Sequence, residues 1–173
     1  MLGGASAGAG ELLMDTDGRH LSVSLRVPQT AWVPGQMAEV EAVLTNTGAA
    51  PFLVDTFGDL NAVYEGKKRD VILVSCWTLS WGPEAIDSGG IRERAPLDAG
   101  QFVRLAPGQS YTKRFTFPAP DLPPGPREVR LTYTPRVASP SFSFPEYWLD
   151  QQHIREPIWT GLIVSDPVGV RIE

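Results

Sequence analysis

The chain is organised by short stretches in which apolar and polar residues alternate. In "LSVSLRV", residues 21–27, Leu21, Val23, Leu25 and Val27 face one way and Ser22, Ser24 and Arg26 the other. A period of two is the mark of a β-strand with one buried face. "MAEVEAVLTN", residues 37–46, repeats the pattern, with Ala38, Val40, Ala42 and Leu44 inward and Glu39 and Glu41 outward. Further strands are predicted at 52–57, 61–66, 101–105, 110–117, 127–134 and in the closing run 158–173. That last run is interrupted at Asp166-Pro167, where proline fits an edge position or a bulge. "VILVSCWTLSW", residues 71–81, begins apolar on both faces and reads as a central strand or one covered on both sides. No stretch has helical periodicity, and roughly eight or nine short strands separated by turn signals predict an antiparallel β-sandwich.

Between these runs lie the turn signals. "WVPGQMAEVEAVLTN" and "VRLAPGQSYTKRFTF" each place Pro-Gly-Gln immediately before an alternating strand. Proline suits the second position of a type II turn and glycine accepts the positive φ of the third. One architectural device is therefore used twice. In the second strand Tyr111, Phe115 and Phe117 face the core, and so does Lys113, which is expected near a sheet edge or snorkelling outward. In "TNTGAAP", Asn46 and Gly48 are expected to tolerate left-handed backbone. Residues 82–100 and 135–157 carry no periodic signal, and connections of that length are often functional. Residues 3–10 have the Gly/Ala/Ser composition of a flexible leader, so the organisation expected is an N-terminal arm over 1–19 and one domain over 20–173.

The order of these devices resembles bacterial immunoglobulin-like sandwich domains, including those similar to the BsuPI-type proteinase inhibitors. The residues that carry the resemblance are "VPGQ", "LTNTG", "LAPGQSYTKRFTF", "LPPG", "VRLTY" and "WTGLIVSDPVGVRI". They are turn and strand devices, so they speak to fold rather than function. The resemblance implies an all-β, immunoglobulin-like sandwich with two long loop insertions. The cysteine pair of antibody domains is missing.

Composition narrows the function classes. Of 173 residues, 42% are hydrophobic and 20% charged, an ordinary globular profile, and the chain is long enough to bury a real core. The net charge of −5 comes with no basic patch of the kind a nucleic-acid binder presents, and Lys67-Lys68-Arg69 reads as a solvated turn. No run is long enough to span a membrane as a helix. The start of the sequence lacks a signal peptide and is compatible with a mature terminus. An extracytoplasmic location is expected on that reading, and a cytoplasmic one otherwise.

No catalytic set stands out. HExxH, GxSxG, Walker and CxxC patterns are absent, and the two histidines, His20 and His153, lie far apart. Cys76, the one cysteine, reads as a small buried hydrophobe. "DTDG", residues 15–18, lacks the remaining ligands of a calcium loop, and Asp55 and Asp59 flank a turn without a visible device to separate their pKa values. No enzyme, cofactor or metal is expected.

The aromatics and the unpatterned loops remain. Trp77 is in phase with the core; Trp32 is placed to cap one end of it, and Trp159 to pack across the sandwich. Trp81, Tyr147 and Trp148 lie in or beside the irregular segments, where an aromatic either binds a sugar or partner, or plugs the loop onto the sheet. "FSFPEYWLD", with Phe142, Phe144, Tyr147 and Trp148, is the first choice for an interface. Arg92, Glu93 and Arg94 project charge from a Gly-hinged loop suited to a carboxylate or a groove. The function expected is a non-catalytic binding or structural module acting through loops or sheet edges, such as an adhesion or surface-assembly subunit. Its partner would be another protein, a second copy, or a glycan. A proteinase inhibitor, implied by the resemblance, and a carbohydrate-binding module are the alternatives.

Overall fold

The computed structural model describes residues 20–64, 75–81, 99–135 and 157–173. The N-terminal arm and most of both unpatterned loops lie outside them. Among the described residues there are eleven strands: β1 (Leu21–Arg26), β2 (Ala31–Trp32), β3 (Met37–Asn46), β4 (Phe52–Asp55), β5 (Asn61–Tyr64), β6 (Trp77–Trp81), β7 (Phe102–Leu105), β8 (Ser110–Pro118), β9 (Gly125–Tyr133), β10 (Ile163–Val164) and β11 (Val168–Ile172). One 3-10 turn, Ala99–Gln101, leads into β7. No α-helix occurs among the described residues, and no helix there is long and apolar enough to cross a membrane.

The strands form a three-stranded sheet, β1-β3-β8, and a larger one, β2-β11-β9-β6-β5, with β10 also on β9. This is the immunoglobulin arrangement. The first, second and fifth strands of the basic fold share one sheet; the third, sixth and seventh share the other. β2 crosses from the first sheet to the second and pairs in parallel with β11, through Arg171↔Ala31 and Ile172↔Trp32. β4 and β7 form a separate antiparallel pair, and β4 is bridged to Ile158.

The period-two faces fill the space between the sheets. Leu21, Val23, Ala38, Val40, Ala42 and Leu44 from one sheet meet Trp77, Leu79, Val129, Leu131 and Tyr133 from the other, all within one buried cluster. Burial at roughly 25 cal/mol per Å² of apolar surface is the main force holding the layers together. β6 is central, flanked by β9 and β5. On its other face Ser80 is buried and Thr78 half-buried; residues 71–74, the apolar start of the predicted strand, lie outside the described residues.

The two Pro-Gly-Gln turns lie at opposite ends of one ladder. β3 and β8 run antiparallel from Met37↔Pro118 to Thr45↔Ser110. Gly35 and Gly108 both have φ +79, and bonds from Gln36 N to Val33 O (3.0 Å) and from Gln109 N to Ala106 O (2.9 Å) close two type II turns. Each turn then docks on the far end of the other's strand. Gly35 N donates to Ala119 O and Ala119 N to Gln36 O; equivalently, Gly108 N donates to Asn46 O and Asn46 N to Gln109 O. Residues 33–46 and 106–119 are thus related by a local pseudo-two-fold axis through the ladder. Asn46 is a strand residue and Gly48 is not among the positive-φ glycines, which corrects the left-handed expectation for both. The Asn46 Oδ1 instead accepts from Gly48 N (2.9 Å), making an Asx turn.

Pro167 lies at a bulge. Between Val164↔Thr132 and Val168↔Val129, three residues of the closing segment stand opposite two of β9. Ser165 N donates to Leu131 O (2.8 Å), and the Ser165 hydroxyl accepts from Leu131 N (3.0 Å), so the ladder stays satisfied beside the proline.

Candidate functional site

Of the residues that the sequence groups as binding candidates, Trp81 alone lies among the described residues. Trp81 ends β6 on the inward phase set by Trp77 and Leu79, and it is 6% exposed. Its ring stands 6.0 Å from Trp32 and 6.1 Å from Phe117, which themselves meet edge-on at 5.6 Å. These three rings close one end of the core, and Trp32 is further fixed by its Nε1, which donates to Gln29 O (2.6 Å). Trp81 plugs the end of the core and offers no ring face to a sugar or partner. Arg92, Glu93, Arg94, Phe142, Phe144, Tyr147 and Trp148 lie outside the described residues. Trp77 and Trp159 are fully buried around Tyr133, with centroids 4.9 and 5.7 Å from it, and Cys76, which precedes Trp77 in the chain, is also buried.

The polar site that stands out is built around Lys113. It occupies the inward phase of β8, opposite Ala42 of β3, between Tyr111 and Phe115. β8 is the outer strand of its sheet and pairs only with β3 among the described residues. The stem therefore runs inward from an edge, and the ammonium ends over the Trp77 and Phe115 rings, 5.7 and 5.3 Å from their centroids. There it donates to Thr56 O and Gly58 O, 2.7 Å each. Burial lowers its pKa below the usual lysine range, while Cys76, Asp59 and Asp55 act in the opposite direction.

These bonds belong to a continuous set. Five successive carbonyls, from the last residue of β4 into the β4–β5 connection, have a donor: Asp55 O takes Tyr133 Oη, Thr56 O and Gly58 O take Lys113, Phe57 O takes Cys76 N, and Asp59 O takes Ser75 Oγ. Thr56 is also held to Gln101 O through its backbone N–H and its hydroxyl. Asp55 is fully buried and caps Phe57 N (3.1 Å). Irregular backbone in a core is tolerated only when its polar groups are paired. The chemistry of this site is therefore that of a half-buried cation held by backbone carbonyls. The Asp55 carboxylate serves the turn, Asp59 is exposed, and no group of three or more metal-ligating side chains occurs among the described residues.

The outer side of β8 has a different character. Ser110, Thr112, Arg114, Thr116 and Pro118 are exposed in strict alternation. Ala119 N donates to Gln36 O, so residues of the same parity, 111 to 117, turn their N–H groups toward β3. Thr112, Arg114 and Thr116 then direct theirs away from the sheet. Arg114 Nε also meets Glu41 across the ladder at 2.7 Å, and Thr45 and Ser110 share a hydroxyl bond of 2.7 Å. At the far end Met37, opposite Pro118, is 64% exposed, with Val33 38% exposed nearby. By contrast the outer edge of β1 is covered, since Leu21 and Val23 have no exposed surface. Both are outer strands of the same sheet, and burial distinguishes the two edges.

No family model matches the chain, and no curated protein sequence matches it. Among solved structures it is similar to the CARDB domain of a protein from Pyrococcus furiosus, a crystal structure in complex with di-metal ions. The identity is 10% and the TM-score 0.38, over 93% of this chain and 94% of that one. A likeness at that level carries neither metal binding nor activity to this chain.

Proposed function

We propose that the protein is a non-catalytic binding or structural module that engages an extended segment of a protein partner along the β8 edge. The observation that supports this reading is the edge itself. Nine residues long, it is exposed at every second residue and turns three backbone N–H groups outward. An open edge of that kind is a template for strand addition. The exposed Val33, Met37 and Pro118 at its end add apolar area for the partner. An extracytoplasmic setting and an adhesion or assembly role are consistent with such a module. The proteinase-inhibitor and glycan-binding readings depend on loop residues outside the described segments, apart from Trp81, which is in the core.

Site-specific photo-crosslinking in the native host tests the proposal. A crosslinker at Thr112 or Thr116 is expected to trap one protein partner, and one at Asp121, exposed beyond the strand, is not. Arg114→Pro removes an outward N–H without touching the β3 ladder and should abolish the adduct while the protein stays folded. Absence of an adduct at both edge positions, or an adduct indifferent to Arg114→Pro, overturns it.

A further inference from the structure

We infer that Lys113 keeps the β8 edge closed to the β8 edge of a second copy of this chain. The inference rests on the edge reading above in one respect, that β8 is open to a partner strand. What carries it further is an inward-pointing lysine on an edge strand. Such a charge is tolerated while water reaches it past the open edge, and becomes costly when another strand covers that edge.

Lys113 is already close to that limit. Its ammonium lies over two aromatic rings and is held by two carbonyls rather than by a carboxylate. The groups facing it from the neighbouring elements are Asp55 at the end of β4, Asp59 of the β4–β5 connection and the Cys76 thiol before β6. Among them Asp55 is committed to Phe57 N, and Asp59 is exposed. A second β8, pairing across a two-fold axis, would bring Lys113 and Arg114 of its own and no carboxylate, because "SYTKRFTFP" contains none. The two copies would desolvate each other's lysines with nothing to compensate. A different protein's strand carrying Asp or Glu escapes this penalty. The edge is thus selective: open in its backbone, closed to itself by charge.

Analytical ultracentrifugation of the full chain across a wide concentration range tests this, with Lys113→Met and the double variant Lys113→Met/Thr112→Pro. Wild type should remain monomeric. Lys113→Met should approximately double its weight-average mass as concentration rises, and the added proline should return it to monomer. Folding of each variant is confirmed by near-ultraviolet circular dichroism. If Lys113→Met does not fold, Lys113→Gln, neutral but still able to donate, is read in the same way. A folded, monomeric Lys113→Met overturns the inference and leaves the edge reading to the crosslinking experiment. Association that survives Thr112→Pro overturns it as well, since the contact then lies elsewhere. Wild-type association abolished by Thr112→Pro would refute the role of Lys113 while supporting the open edge.

Discussion

Gly58 passes so close to Ser75 that a Cβ at position 58 would lie 2.7 Å from the Ser75 Cα. Its φ of +88 is also in the left-handed region. Gly35 and Gly108 share the positive φ but have open space around them. Alanine should therefore cost about 1–2 kcal/mol at either turn glycine, the backbone penalty alone. At Gly58 the clash with backbone adds to that, and a loss of more than about 3 kcal/mol is expected. Urea denaturation of the three variants checks the ranking.

Asn46 is fully buried and joins three segments at the end of β3. Its Nδ2 donates to Ala50 O and Leu105 O, 2.9 Å each, and its Oδ1 accepts from Gly48 N. Asn46→Ala leaves these groups unpaired and should cost about 2–4 kcal/mol. Asn46→Asp sets a carboxylate against two carbonyls, which raises its folded pKa. Its destabilisation should be largest at neutral pH and shrink as pH falls below that raised pKa. Denaturation at several pH values distinguishes the two variants, because the alanine loss should not vary in this way.

Lys113 gives the opposite dependence at alkaline pH. Its folded pKa is lowered by burial, so the folded chain holds its proton less tightly than the unfolded chain. Between the lowered pKa and the unfolded value of about 10.4, the unfolded state binds more protons, and this residue's contribution to stability rises with pH. Lys113→Met should remove that rise. Comparing unfolding free energies of wild type and variant from neutral pH up to about pH 10 measures it. A wild-type contribution that falls over this window would contradict the burial of the ammonium.

Trp81 tests the division between core and surface. Truncation to alanine removes one of three mutually packed rings and should cost about 3–5 kcal/mol. Trp32→Ala should be similarly costly, and the double variant should lose less than the sum because the two rings touch. Thermal and urea unfolding of the single and double variants provide the cycle. Near-additivity would show that the rings do not share a packed end.

Much of the fold is legible in the sequence because strand burial is a local property. Alternation at 21–27 and 37–46 predicts which side chains are buried, and Leu21, Val23, Ala38, Val40 and Leu44 all are. The Pro-Gly pairs specify their turns through φ alone, and of the edge position or bulge that the proline at 167 allows, the structure has the bulge. For Trp81 the alternating pattern predicts the end of a strand but not whether its ring plugs the core or faces a ligand; contact with Trp32 and Phe117 decides for the core.

By itself the sequence determined an all-β chain, its inward faces and its two matched turns, because period-two burial and backbone dihedrals are set by near neighbours. Only the tertiary structure decided that those turns dock reciprocally across one ladder, and which of the two expectations for Lys113 holds, since β8 is an outer strand. It also decided where the Lys113 ammonium goes: to Thr56 and Gly58, more than fifty residues away in the chain. Strand order and the pairing of remote carbonyls arise from how the two sheets close on each other, and no local pattern along the chain encodes that closure.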